Sequence, residues 1–314
     1  MTQRTDVSEQ DETVMTTTRT WRGAEARTAW LLSTPALIGL TAFIVLPFLL
    51  ALVLSFSNQR LISPLPTRFI GIENYLATFG DAGFWRGLIN NVWFVAVVVP
   101  LQTGLALFLA ILVNSRIRGR VAFRTVYFMP VVTVMAAAAV TWTLLLNPNG
   151  LVNAFLDVVT FGSFSPDWLG STTWALPAIM AVSIWQGTGF QMIILLAALQ
   201  DVPEELYEAA ELDGAGSWKK FLNVTLPGIR NGLIFVVTVT TILAFRLFDQ
   251  VWIMPQTPGG PLDSTRTMML HLVETGFGGQ AIGRASAVAV IFFILVLVLT
   301  LIQRRFIREE GGAA

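Results

Sequence analysis

Along the 314-residue chain the apolar positions gather into six long runs, at about 30–56, 88–113, 121–146, 174–199, 229–254 and 282–302. Each is long enough to cross a hydrocarbon core about 30 Å thick, which takes roughly 20 helical residues. Lipid offers no partners to backbone N–H and C=O groups, so apolar runs of this length predict α-helices that satisfy their own backbones. Prolines 35, 47, 100, 130 and 177 lie inside the runs or near their ends and mark places for kinks. The polar segments between runs differ in charge. One set of flanks holds fourteen Lys and Arg, among them Arg27, Arg118, Arg124, Lys219, Lys220 and Arg305. The opposite set holds only Arg60, Arg68, Arg86 and Arg266, and Arg246 and Arg284 fall within or at the edge of runs. The positive-inside rule then puts both termini in the cytoplasm. The expected fold is an all-α membrane protein with six transmembrane helices. A cytoplasmic, disordered tail covers 1–29, a transmembrane bundle 30–308 and a short tail 309–314.

Composition agrees with lipid as the solvent. Only 13% of residues are charged, against about 25% in soluble domains. The chain has no cysteine, which removes disulfides and thiolate chemistry. Its one histidine, His271, has no ligand partner nearby in sequence and is expected at the surface. No P-loop, zinc-protease or nucleophile-elbow pattern occurs, so no ATP hydrolysis, enzymatic activity, metal or cofactor is expected of this chain. Basic residues flank the runs rather than forming a stripe for nucleic acid.

The polar segment 201–228 is too short for a domain and long for a turn. Pro203 opens a helix there, with Asp201 available as a cap and Glu204 and Glu205 in the first turn, where the helix dipole favours negative charge. Gly214 and Gly216 break it, Trp218, Phe221 and Leu222 start a second short amphipathic stretch, and Pro227 and Gly228 end that. The prediction is helix, glycine turn, helix at a membrane surface. Within it stand Glu208-Ala209-Ala210, then Gly214, then Val224 and Leu226-Pro227. This spacing resembles the cytoplasmic signature of binding-protein-dependent ABC importer permeases, with Val where Ile is commonest.

The resemblance extends over about 30–308. Phe69-Ile70-Gly71-Ile72-Glu73-Asn74-Tyr75, the turn at Asn147-Pro148-Asn149-Gly150, Phe123 to Pro130, Phe248 to Met254, and the Gly259-Gly260-Pro261 turn are similar to the sugar-importing, maltose-type subgroup. It implies a prokaryotic plasma- or inner-membrane subunit that pairs with a second permease, favouring a heterodimer. It also implies a cytoplasmic ATPase dimer, an extracytoplasmic solute-binding protein and surrounding membrane lipid as partners. Glu208, Ala209, Ala210, Gly214, Leu226 and Pro227 would form the ATPase-coupling helix.

Polar residues inside spans are costly and face protein or a water-filled cavity. Gln102, the stretch Trp185 to Gln191, and the group Arg246, Asp249 and Gln250 qualify. On a continuous helix Phe245, Phe248, Asp249 and Trp252 share one face at i, i+3, i+4 and i+7. Aromatic rings there stack on sugars and carboxylates take hydroxyl hydrogen bonds. By motif position, the resemblance implies Gln186, Gly187, Phe190, Phe248, Asp249 and Trp252 in the substrate pathway. Arg246 and Asp249 fit two other readings as well: a structural ion pair in the bundle, or ion-linked residues of an autonomous secondary transporter or channel.

Overall fold

The structure, a computed structural model, describes residues 18–63, 66–115 and 119–308. The chain divides between Leu54 and Ser55 into two units. The first is one long helix in three parts: α1 (Thr18–Leu40), a π-helical turn (Thr41–Val45) and α2 (Leu46–Leu54). In the turn the Leu46 N–H donates five residues back, to the Thr41 carbonyl. Pro47 follows immediately, and in a regular helix its ring would strike the carbonyl four residues earlier; the widened turn removes that clash. The tail expected over 1–29 lies outside the described residues as far as position 17. From Thr18 onward the chain is helical. The tail at 309–314 also lies outside the described residues.

The second unit is helical too, with no strand among the described residues beyond one isolated bridge between Ser57 and Phe69. Its helices are α3 (Glu73–Phe79), α4 (Ala82–Asn114), α5 (Arg120–Val132), α6 (Met135–Leu145), α7 (Leu151–Thr160), α8 (Ala175–Gln200), α9 (Glu204–Leu212), α10 (Ser217–Lys220), α11 (Leu226–Gly228), α12 (Arg230–Phe245), α13 (Asp249–Ile253), α14 (Met268–Val273) and α15 (Ile282–Arg308). Among the described residues five helical segments are long and apolar enough to cross a membrane, or six if α5 and α6 count as one crossing. The third apolar run is therefore not one straight span. It bends by 98° between Val132 and Met135. The fifth run is also interrupted, between Phe245 and Asp249, where Phe248 leaves helical geometry at φ −141°.

Helices α4 and α8 run side by side through the middle of this unit, with α12 against α4 and α5 against α8. Their apolar contacts form two layers. Phe94, Val98, Ile179, Val182 and Met254 fill one, and Ala106, Val113, Met192, Leu195 and Ile229 fill the other, toward the 201–228 loop. Gly189 lets α8 press against the backbone of α5, where an added Cβ would overlap the Tyr127 carbonyl oxygen.

At the end of the bundle away from that loop, ionic contacts tie three elements together. Asp81 caps α4 by accepting from the Gly83 N–H at 2.7 Å, and it pairs with Arg284 of α15 at 2.6 Å. Arg266 pairs with Asp263 at 3.0 Å and with Glu274 at 2.8 Å. His271 lies inside this cluster and is buried, not at the surface as expected from sequence. One partner stands five residues earlier and the other comes from far away in the chain. Arg266 donates to its Nδ1 at 3.3 Å, and its Nε2 faces Asp81 at 4.0 Å.

Burial holds His271 below the ordinary histidine range; Asp81 opposes this, Arg266 and Arg284 reinforce it, and Asp263 opposes it. Unfolded, the imidazole takes a proton near pH 6.5, while the folded one stays neutral to lower pH. Protons then favour unfolding, so this contribution to stability is present above about pH 6.5 and is lost as pH falls below it. Melting temperature measured between pH 7 and pH 5 should fall more for the wild type than for His271→Gln. Parallel slopes for the two proteins would refute this account.

Candidate functional site

Both helix interruptions face one cavity of about 640 Å³. Its lining comes from α4 (Phe94, Val98, Gln102), from the α5–α6 bend (Val131, Met135), from α8 (Ser183, Gln186, Gly187, Phe190), and from the end of α12 through the start of α13 (Thr240, Leu243, Ala244 and Arg246 to Gln250). Met269 of α14 completes it. Irregular backbone at membrane depth is tolerated where protein groups or a cavity satisfy it.

The side chains that close the freed carbonyls can be named. Gln186 Nε2 donates to the Thr133 carbonyl at the bend, 3.1 Å. Asn91, fully buried, donates to the Phe245 carbonyl at 3.1 Å and accepts from the Met268 N–H at 2.8 Å. Thr267 donates to the Leu247 carbonyl at 3.0 Å. Asn91 and Thr267 thus pin the interrupted fifth run to α4 and α14. Sequence reasoning assigned neither a role, although the Asn90-Asn91 pair at the start of an apolar run is the available signal.

Of the residues nominated for the pathway, Gln186, Gly187, Phe190, Phe248 and Asp249 line the cavity. Trp252 does not; it stacks on Phe248 with ring centroids 5.5 Å apart. The helical face proposed for Phe245, Phe248, Asp249 and Trp252 does not form, because the chain stops being helical between Phe245 and Asp249. Phe245 turns into the protein and meets Phe292 of α15. Arg246 and Asp249 form no ion pair with each other among the described residues, and both are exposed at the cavity. Two other amides work between helices: Gln191 donates to Thr240 Oγ1 at 2.6 Å and Gln250 to Ser183 Oγ at 3.3 Å. Gln102 lies over Gly187, where an added Cβ would overlap its side-chain amide. Among the described residues no cluster of His, Asp and Glu has the makings of a metal site.

The segment 201–228 folds as helix, turn, helix. Asp201 is not the cap of α9: it already ends α8, its N–H donating to the Ala197 carbonyl, and Pro203 occupies the cap position. The end of α9 is closed by two backbone bonds, Ala215 N–H to Ala210 O at 2.9 Å and Gly214 N–H to Glu211 O at 3.0 Å. This is the Schellman arrangement, with Gly214 at φ +72° as its left-handed residue. Lys220 of α10 reaches back to Glu211 at 2.8 Å, and this bond and charge hold the fully exposed Glu211 carboxyl below the usual carboxylate range. A π-helical turn at Phe221–Thr225 again precedes a proline, Pro227. Gly228 packs on Val202 and Gly232 on Ala198, so the ends of α8 and α12 close together beneath the loop. Glu208 and Ala209 are exposed beside Leu206, and Leu212 and Trp218 are exposed as well. The loop presents apolar and acidic groups together, outward.

Residues 82–309 match the family described as binding-protein-dependent transport system inner membrane component. The lactose transport system permease protein LacF of Rhizobium radiobacter is 32% identical over 90% of this chain and 94% of its own length. The trehalose/maltose transport system permease protein MalF of Thermococcus litoralis is 34% identical over 88% of this chain and 92% of its own. In three dimensions the chain resembles a subunit of a bacterial alginate ABC transporter, crystallised in complex with an alginate pentasaccharide-bound periplasmic protein. The TM-score is 0.78 at 20% identity, over 92% of this chain and 98% of that one. The sequence match, covering most of the chain, and the shared fold together make this protein a member of the binding-protein-dependent ABC transporter permeases, multi-pass components of the inner membrane.

Proposed function

We propose that this chain is one of two permease subunits of an ATP-driven importer and that it carries a sugar or sugar-like solute. The observation that carries the reading is the cavity at the two helix interruptions, where aromatic rings and polar groups stand together. Phe190 and Phe248 offer faces to a sugar ring, while Gln186, Arg246 and Asp249 offer donors and acceptors to its hydroxyls. Its volume falls in the range typical of small-molecule sites, about 300–1,000 Å³. The relatives that carry lactose and trehalose or maltose support the solute class.

In this reading the bent pair α5–α6 counts as one crossing, the chain crosses six times, and both termini are cytoplasmic. The 201–228 loop docks on a cytoplasmic ATPase, with Glu208, Ala209, Ala210, Gly214, Leu226 and Pro227 forming or shaping the docking surface. A second, non-identical permease completes the pathway, and an extracytoplasmic binding protein delivers the solute. ATP binding closes the ATPase dimer, the loop moves with it, and the cavity opens to alternate sides. The autonomous-transporter reading of Arg246 and Asp249 finds no support in the relatives.

The test is ATP hydrolysis in proteoliposomes holding this chain, its second permease and its ATPase, with the binding protein outside. One member of a sugar panel should raise hydrolysis several-fold, and only with the binding protein present. Solute movement by this chain alone, without an ATPase, would overturn the proposal.

A further inference from the structure

The helix α7 is oriented the wrong way round for a helix that faces water. Asn153 is buried and Thr160 half-buried, with Val152 packed on the core beside them, while an apolar stripe points out. Leu151, Phe155 and Val158 fall on one face by helical spacing, and they are 71%, 66% and 74% exposed. Nothing about this orientation is loose. Asn153 is buried and donates to the carbonyls of Pro148 and Pro166, and Trp168 Nε1 donates to Asn153 Oδ1 at 2.7 Å. The polar face is thus bolted to the loop that follows, which fixes the apolar face outward. The backbone reinforces this at the end of the helix. Phe161 takes a left-handed φ of +53°, which costs a bulky residue, and the residue is 96% exposed.

We propose that α7 is an interfacial helix, lying in the bilayer surface with Leu151, Phe155 and Val158 among the acyl chains. Three observations select lipid over a protein occupant. Val140 and Leu144 on the preceding apolar helix α6 are exposed too, and in the reading proposed above α5 and α6 make one crossing. The connection 147–173 carries no Lys or Arg, and its only charges, Asp157 and Asp167, stay off the stripe. Phe164, Trp168 and Trp174 cluster in edge-to-face contacts in the connection that follows, with Trp168 bonded to Asn153 behind the stripe, and Trp is a residue type enriched at headgroup level. Without cations the helix relies on apolar burial alone, and anionic lipid adds nothing to its seat.

Because the chain has no cysteine, Phe155→Cys, Val158→Cys and Asp157→Cys each give a single labelling site in it, and the partner subunits are used free of cysteine. Each is labelled with a small fluorophore in the assembled transporter, in nanodiscs of zwitterionic phospholipid, after its ATPase activity confirms assembly. A nitroxide carried on the upper acyl chain should quench the labels at 155 and 158 at least about threefold more than the label at 157, and aqueous iodide should do the reverse. Iodide quenching at 155 equal to that at 157 would put the stripe in water and overturn the proposal. Shielding at 155 from both quenchers would mean a protein covers it and would overturn the proposal equally.

Discussion

Gly214→Pro is expected to abolish the stimulation of ATP hydrolysis by solute and binding protein, while the subunit still inserts and assembles. The cause is local. Gly214 sits at φ +72° and its N–H closes the end of α9. Proline locks φ near −65° and has no N–H, so it removes both the angle and the bond. Without the Schellman closure the chain after α9 takes another direction, and Trp218 and the Lys220–Glu211 contact go with it.

A graded series sharpens the expectation. No neighbour lies within 4 Å of a Cβ added at Gly214 or at Gly216. Sterics therefore do not distinguish the two positions, but backbone angle does, since Gly216 has an ordinary φ of −68°. A left-handed L-residue costs about 1–2 kcal/mol, which is about a five- to thirty-fold loss in the population holding the turn. Gly214→Ala should reduce stimulation several-fold, Gly214→Asn should retain most of it because Asn tolerates the left-handed region, and Gly216→Ala should match the wild type. Equal effects of Ala at 214 and 216 would show that the turn geometry is not what the coupling requires.

This loop was legible because its signals are local. A proline, two glutamates, a glycine and a second proline act within one or two turns of where they stand. The same holds for the Gly259-Gly260 turn, where both residues adopt positive φ. The family was legible for a related reason, since its signature lies in such local spacing.

What sequence reasoning missed lies in contacts between distant positions. Pro130 marked a place for a kink, but hydropathy is continuous across 121–146 and does not reveal a 98° bend there. The carbonyl freed at Thr133 is satisfied by Gln186, 53 residues away. The fifth run was read as one helix for the same reason. Its interruption is supported by Asn91 and Thr267, which belong to other elements. His271 was read without a partner, although Arg266 stands five residues away; the hidden one is Asp81, which reaches it from a distant loop. In each case the polar residue was visible and its partner was not.

The two glycines of α8 provide the second large expected effect, because they are two residues apart and face different things. At Gly189 an added Cβ would overlap the Tyr127 carbonyl and crowd the backbone at Phe128. Backbone cannot rotate aside, so α5 and α8 must separate along a contact that also positions the Thr133 bend. Overpacking of this kind costs about 1–3 kcal/mol or more, and Gly189→Ala should lower the melting temperature and the yield of assembled transporter. At Gly187 the overlapping atoms are the far end of Gln102, a flexible side chain that lines the cavity. Gly187→Ala should melt close to the wild type, because Gln102 swings away, but it should change the solute concentration needed for half-maximal transport by about three- to ten-fold, the worth of one misplaced hydrogen bond. Melting temperature and transport measured on both variants separate the roles. If Gly187→Ala also loses its fold, or if Gly189→Ala alters solute dependence without loss of stability, then the helix contact and the solute cavity are not divided between these two positions.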